Sequence, residues 1–235
     1  MSHLLAIAVG PVQEFIAAAR RTRDLWLGSY LLSEISRAVA KAVAKAIENQ
    51  GGQLIFPASS DAKNVANLIL AELSAADPKA VAAKAKEAAQ KRWLEFAEDA
   101  RSEASGVIRA DIWEDQVDDV VEFYAAWVPR SDKYKHDRAR VMRLLAGRKN
   151  CRDFLAARGR AGVPKSSLDG QRESVLKPPS EWTTRFRARL RIRDGEQLDV
   201  VGLVKRVAGG TQPYPSVARV AADPWCGVTT FESQK

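Results

Sequence analysis

Six apolar residues in a row, Leu4-Leu5-Ala6-Ile7-Ala8-Val9, stop abruptly at Gly10-Pro11, and this stretch constrains the fold more than any other. An uninterrupted run rich in branched side chains and closed by a glycine has the pattern of a buried strand. Pro11 suits the first position of a helix, where its missing N–H costs nothing. From Phe15 the spacing turns helical, with Phe15, Ile16 and Ala19 on one face and Arg20, Arg21 and Arg23 elsewhere. Gly28-Ser29 is expected to interrupt that helix. A second helix follows, with Leu31, Leu32, Ile35, Val39, Val43 and Ile47 at three-to-four spacing. Asn49-Gln50-Gly51-Gly52 ends it, and Gln53 to Pro57 reads as a second strand. The front of the chain is therefore strand, long helical crossover, strand.

Beyond it, Ala62 to Glu103 is rich in Ala, Lys and Glu and predicts helix, broken at Asp77-Pro78. Within Gly106 to Trp127 the acids Glu114, Asp115, Asp118 and Asp119 fall on adjacent positions, which diverge on a helix, so they read as solvated surface. Tyr134 to Leu145 is a further helix, basic on its outer side. Gly147 to Leu176 is basic, glycine-punctuated and expected to be irregular, apart from a short helix that Ser166 would cap with Asp169 three residues on. Arg185-Phe186-Arg187-Ala188-Arg189-Leu190-Arg191-Ile192-Arg193 alternates strictly, and a strand there would set five arginines on one face. Asp194-Gly195 is a turn signal, and Leu198 to Val207 returns as a strand or opens a helix.

Composition narrows the function classes. Hydrophobic residues make up 46% of 235, as in a folded protein, and no apolar run approaches a membrane span. The N-terminal residues lack the pattern of a secretory signal, so the expected compartment is the cytoplasm, with no membrane partner. Two cysteines, Cys151 and Cys226, lie far apart, which argues against a disulfide scaffold or a zinc ribbon. The net charge of +8 divides unevenly: residues 130–235 carry +12 and the front half −4. A basic back half suits a polyanion, and it also suits a soluble protein of high isoelectric point.

A glycine turn between strand and helix can offer backbone N–H groups to phosphate, which makes Gly10, Pro11, Val12 and Gln13 a candidate nucleotide-binding turn. It has neither a P-loop lysine nor a dinucleotide fingerprint. Five like charges on one strand face repel unless water or an anion compensates them. Arg185, Arg187, Arg189, Arg191 and Arg193 therefore read either as RNA-binding or as protection of an edge strand. Arg148, Lys149, Arg152, Arg158 and Arg160 add to the same half and favour nucleic acid. No catalytic set assembles: His3 and His136 have no His-Asp context, Cys151 has no histidine nearby, and Ser166-Ser167 has no nucleophile elbow.

Gly10-Pro11-Val12-Gln13-Glu14-Phe15-Ile16, followed by Arg20-Arg21-Thr22-Arg23-Asp24-Leu25-Trp26-Leu27-Gly28-Ser29-Tyr30, resembles the opening of the large subunit of type III-B CRISPR (Cmr) effector complexes, the Cas-ten/Cmr-two family. The resemblance continues through Arg148-Lys149-Asn150-Cys151-Arg152-Asp153-Phe154, Pro164-Lys165-Ser166-Ser167-Leu168-Asp169-Gly170 and Arg172-Glu173-Ser174-Val175-Leu176. Glu196-Gln197-Leu198, Leu203-Val204-Lys205-Arg206, Tyr214-Pro215-Ser216 and Ala222-Asp223-Pro224-Trp225 complete it.

The resemblance implies an α+β, ferredoxin-like palm with large helical insertions, here over about residues 62–145, and a basic segment over about 147–193. It implies a second palm, whose Gly-Gly-Asp-Asp motif binds Mg or Mn and joins ATP into cyclic oligoadenylates, and in some members a His-Asp nuclease domain. This sequence contains neither motif, and the family's cysteine zinc site is not visible in it. Its first strand offers no acid to a metal. The expectation is a scaffold part of an RNA-guided antiviral complex that supplies half of an ATP pocket. Its expected partners are the other Cmr subunits, CRISPR RNA and target RNA. The alternatives are a stand-alone nucleotide- or nucleic-acid-processing enzyme and a non-functional remnant of a disrupted gene.

Overall fold

The structure is a computed structural model and describes residues 2–151, 159–209 and 214–226. Its centre is a four-stranded antiparallel sheet in the order β2-β3-β1-β4, built from β1 (His3–Gly10), β2 (Gln53–Phe56), β3 (Leu68–Leu73) and β4 (Glu122–Pro129). Helices join β1 to β2 and β3 to β4, which is the ferredoxin-like arrangement within an α+β fold. The apolar run of β1 does not alternate because both of its faces are covered. Leu5, Ile7 and Val9 enter the main core, while Leu4, Ala6 and Ala8 enter a second core on the opposite face.

The main core lies under α2 (Thr22–Ile47) and α3 (Pro78–Glu103). On α3, Ala82, Ala85, Ala89, Ala97 and Ala100 are buried with Trp93, and these small side chains let the two helices approach closely. Asp77 caps α3 by accepting from Lys79 N at 3.1 Å and Ala80 N at 3.2 Å, with Pro78 in the first turn.

Three local expectations are corrected. The helix expected over Ala62 to Glu103 begins only at Pro78. Leu68 to Leu73 instead form β3, between β1 and β2, because a full antiparallel ladder with β1 outweighs the helix propensity of Leu, Ala and Glu. Residues 62–145 thus contain two of the four strands as well as helix. Gly28 does not interrupt α2, which runs through it. A Cβ there would meet Ile16 Cα at 3.1 Å and Lys205 Cε at 3.2 Å, so this glycine is needed for close packing. Pro11 lies one residue before the N-cap, Val12, of the five-residue α1 (Gln13–Ala17), and the chain leaves helix at Ala18 before α2 begins.

The second core is closed by α5 (Tyr134–Asn150), which lays Val141 and Leu145 on Leu4, Ala6, Ala126 and Val128. Between β3 and β4, α4 (Ala110–Val117) keeps Glu114 and Asp115 on the surface, as expected. Glu114 faces Arg101 at 3.4 Å and Asp115 pairs with Arg160. Ser166 is buried but caps no helix. It lies in a turn closed by Gly170 N to Ser166 O at 3.0 Å, beside a bridge between Lys165 and Glu173. The ambiguous stretch after Leu198 resolves as α7 (Val200–Ala208), capped by Asp199, which accepts from Gly202 N at 2.8 Å. No helix among the described residues is long and apolar enough to cross a membrane.

Candidate functional site

Where β1 ends, a cleft of about 570 Å³ opens at the edge of the sheet. Its floor is the turn Gly10 to Gln13, its walls include Glu122 and Tyr124 from β4, and Lys149 and Asn150 at the C-terminal end of α5 close the far side. Two groups of residues far apart in sequence, the glycine turn and the start of the Arg148-Lys149 basic segment, thus meet at one place. The turn is held from below: Val9 N donates to Asn67 O at 2.9 Å, and Asn67 Nδ2 donates back to Val9 O at 3.3 Å. Gly10 is paired with Glu122 across the ladder, and a Cβ on Gly10 would lie 3.3 Å from Glu122 Oε2. Tyr124 Oη donates to that same carboxylate at 3.0 Å.

Among the described residues the lining therefore combines one ammonium, from Lys149, the amides of Gln13, Asn67 and Asn150, and one carboxylate, Glu122, that accepts from Tyr124. This set can bind and orient an anion with hydrogen-bonding groups but contains no paired nucleophile and base. Among the described residues, no three His, Cys, Asp or Glu side chains come together as metal ligands. The described residues of the cleft therefore offer no donor set that fits a metal ion.

The arginine stripe does not form as a strand. Residues Thr184–Leu190 are a helix, α6, whose buried side chains are Phe186 and Leu190 at i and i+4. Alternation is compatible with this because those two positions also share a helical face, and packing selected the helix. Thr183 caps it by accepting from Phe186 N at 3.1 Å, and Arg191 ends it in the left-handed region at φ 52. The five arginines consequently diverge. Arg187 stacks on Trp182 and donates to Asp194 at 2.6 Å, while Arg189 pairs with Glu103 at 2.5 Å. Arg185, Arg191 and Arg193 are exposed. Arg148 is exposed at the end of α5, whereas Arg152 and Arg158 lie outside the described residues. Arg160 is drawn into ion pairs with Asp111, Asp115 and Glu173.

Sequence reasoning missed a buried charge network. Arg206, fully buried, reaches Asp24 Oδ2 at 2.9 Å and Glu196 Oε1 at 2.7 Å. Arg23 Nη2 donates to Arg206 O at 2.9 Å. Burial draws the Arg206 guanidinium down, but Glu196 and Asp24 more than reverse this and hold it above its ordinary range. Next to it, the buried Lys205 ammonium donates to the carbonyls of Phe15 and Ala18, the latter at 2.8 Å, and lies 4.7 Å from the Phe15 ring centre. Burial lowers its pKa from 10.5 to about 8. The available signal was two adjacent cations inside the apolar stretch Val200 to Val207. The motifs around Arg23-Asp24, Glu196 and Lys205-Arg206 therefore tie α7 to the start of α2, and none of these residues lines the cleft.

Residues 4–110 match the family model described as CRISPR-associated protein Cmr2, N-terminal. Over those residues the chain is similar to the Cmr2 N-terminal family. The match bears out the family resemblance seen in the sequence and contains the turn that forms the floor of the cleft. No curated protein matches the sequence. Among solved structures, the chain is similar to one from a type III-B Cmr-beta complex in the apo state, with TM-score 0.64 and 15% identity over 88% of this chain. A structure of type III-B Cmr-beta bound to cognate target RNA matches with TM-score 0.55 and 17% identity over the same share. The matched part of this chain spans only 32% of each of those chains. At this identity the similarity shows a shared fold. Covering 88% of the chain, it extends beyond residue 110.

Proposed function

We propose that this chain is the first-palm part of the large subunit of a type III-B CRISPR effector complex, acting as a scaffold and forming one half of an ATP site. The observation that carries the nucleotide reading is the meeting of the Gly10–Gln13 turn with Lys149 in one cleft. Lys149 supplies a point charge for phosphate, Gln13 and Asn150 supply hydrogen bonds, and the backbone of the turn is approachable because Gly10 has no side chain. The residues fit a nucleotide's phosphates at the Lys149 side and do not fit a metal. The metal ions and the transfer step are accordingly assigned to a second palm outside these 235 residues. Other Cmr subunits, CRISPR RNA and target RNA are the partners in this reading. Arg148 and Lys149 are its RNA-facing residues, and Arg185, Arg191 and Arg193 are open to RNA or to a neighbouring subunit.

Incubating the purified chain with labelled ATP and manganese, with and without RNA, tests the reading. Bound ATP without product is the expected result. Oligoadenylate made by this chain alone would overturn the scaffold reading in favour of an independent enzyme.

A further inference from the structure

The solvent-facing side of α5 carries a broad band of uncompensated positive charge, with Lys135, Arg143 and Arg140 on its outer arc and Arg138 on one flank. The helix carries Lys135, Arg138, Arg140, Arg143, Arg148 and Lys149, all exposed, against a single acid, Asp137. That acid is buried and already occupied: it accepts from Ser131 N at 2.7 Å and faces Arg130 Nη1 at 3.4 Å and His136 Nδ1 at 3.8 Å. Among the described residues Lys135, Arg138, Arg140 and Arg143 have no carboxylate partner. Elsewhere in the fold Arg92, Arg160, Arg187, Arg189 and Arg206 all have one.

Helix stability does not call for this arrangement. Lys135 and Arg138 near the N-terminus oppose the helix dipole, and the pairs Lys135/Arg138 and Arg140/Arg143 place like charges three residues apart. Packing does not call for it either, since Val141 and Leu145 make the contact with the sheet. Along the helix axis these cations span about 21 Å, the length of several successive nucleotides, and around it they spread over the exposed side. Half-exposed Leu144 lies among these cations and offers an apolar seat that a duplex backbone would not use but an unpaired base would. At the C-terminal end of α5, Lys149 and Asn150 line the cleft.

We propose that the solvent-facing side of α5 seats the phosphate backbone of a single-stranded nucleic acid without regard to sequence, through Lys135, Arg138, Arg140 and Arg143, and leads it toward the cleft at Gly10. For its biological setting this rests on the RNA-guided reading above, and for its chemistry on the band of charge alone. It moves the principal nucleic-acid surface from the arginines of α6, two of which are paired, to a helix whose cations are not.

Fluorescence anisotropy of labelled oligouridine with the full chain, from about 50 to about 200 mM salt, reads the contact directly. Replacing Lys135, Arg138, Arg140 and Arg143 by alanine is expected to weaken binding more than tenfold at low salt and to reduce the magnitude of the salt slope by about 3. Alanine favours helix, and circular dichroism verifies that α5 is retained. Changing the three arginines to lysine keeps the charge and is expected to restore most of the slope. An unchanged slope in the folded alanine variant overturns the proposal. So does tighter binding of a polyglutamate peptide than of oligouridine at equal salt, which would mark the face as a protein-docking surface. Oligothymidine in parallel separates RNA from DNA: equal binding supports backbone recognition alone, and an RNA preference adds a contact to the 2′-hydroxyl. ATP binding is measured on the same variants. Its retention when RNA binding is lost supports two separate sites, whereas absent ATP binding in a chain that still binds RNA would sink only the cleft.

Discussion

Arg206 on α7 and Asp24 on α2 are joined by two hydrogen bonds, at 3.0 and 2.9 Å, although 182 positions separate them in the chain. Both side chains are almost completely excluded from solvent, and Glu196 completes the set with 2.7 Å to the same guanidinium. This contact fastens the C-terminal half of the fold to the segment with which the family resemblance begins.

Removing one member leaves charge buried without its partner, which costs far more than the intact network contributes. Asp24→Ala is expected to lower unfolding stability by about 3 kcal/mol or more. Urea unfolding followed by circular dichroism measures it. A loss below about 1 kcal/mol would show that solvent reaches Arg206.

Lys205 links stability to pH. It titrates at about 8 when folded, against 10.5 for the ordinary side chain. Between those values the unfolded chain binds more protons than the folded one, so this residue makes stability rise with pH across that window. At pH values below the folded pKa the full cost of burying the charge is present, about 3 kcal/mol. Lys205→Met is expected to flatten the rise, which comparison of urea midpoints for the two proteins at about pH 7 and about pH 10 reads out.

Gly28→Ala tests whether this glycine is a helix weakness or a packing requirement. Helix propensity alone would make alanine stabilising by about 1 kcal/mol. The added methyl meets Ile16 Cα at 3.1 Å and Lys205 Cε at 3.2 Å, and Lys205 is pinned by its hydrogen bonds to Phe15 and Ala18. We expect a net loss of about 1–2 kcal/mol, measured as a lower urea midpoint. A gain in stability would show that the helices separate freely.

Among the described residues Lys149 is the one cation lining the cleft, and Lys149→Glu reverses it without touching the core, since the residue is exposed. ATP affinity is expected to fall about tenfold or more, with the unfolding midpoint unchanged. Filter binding with labelled ATP provides the measurement.

The sequence alone was sufficient for β1, β2 and a helical crossover between them, which have a strong hydrophobic period or a sharp glycine stop, and it placed a helix over Tyr134 to Leu145, which the structure extends through Gly147 to Asn150. Gly10 to Gln13 was legible as a turn for the same reason, and the family resemblance rested on residues that the fold places around α2 and α7. Three things were decided only by tertiary structure. Leu68 to Leu73 became a strand because β1 offered a six-residue antiparallel partner, a long-range contact that local propensity cannot report. Arg185 to Arg193 became helix and turn because alternation also satisfies an i, i+4 pair, and burial of Phe186 and Leu190 chose between the two periods. The cleft itself required the end of α5 to arrive beside the first turn of the chain, which brings Lys149 to Gly10 across the sheet. Periodicity fixes which way a side chain faces along its own element; which element it then faces is set by how the layers pack.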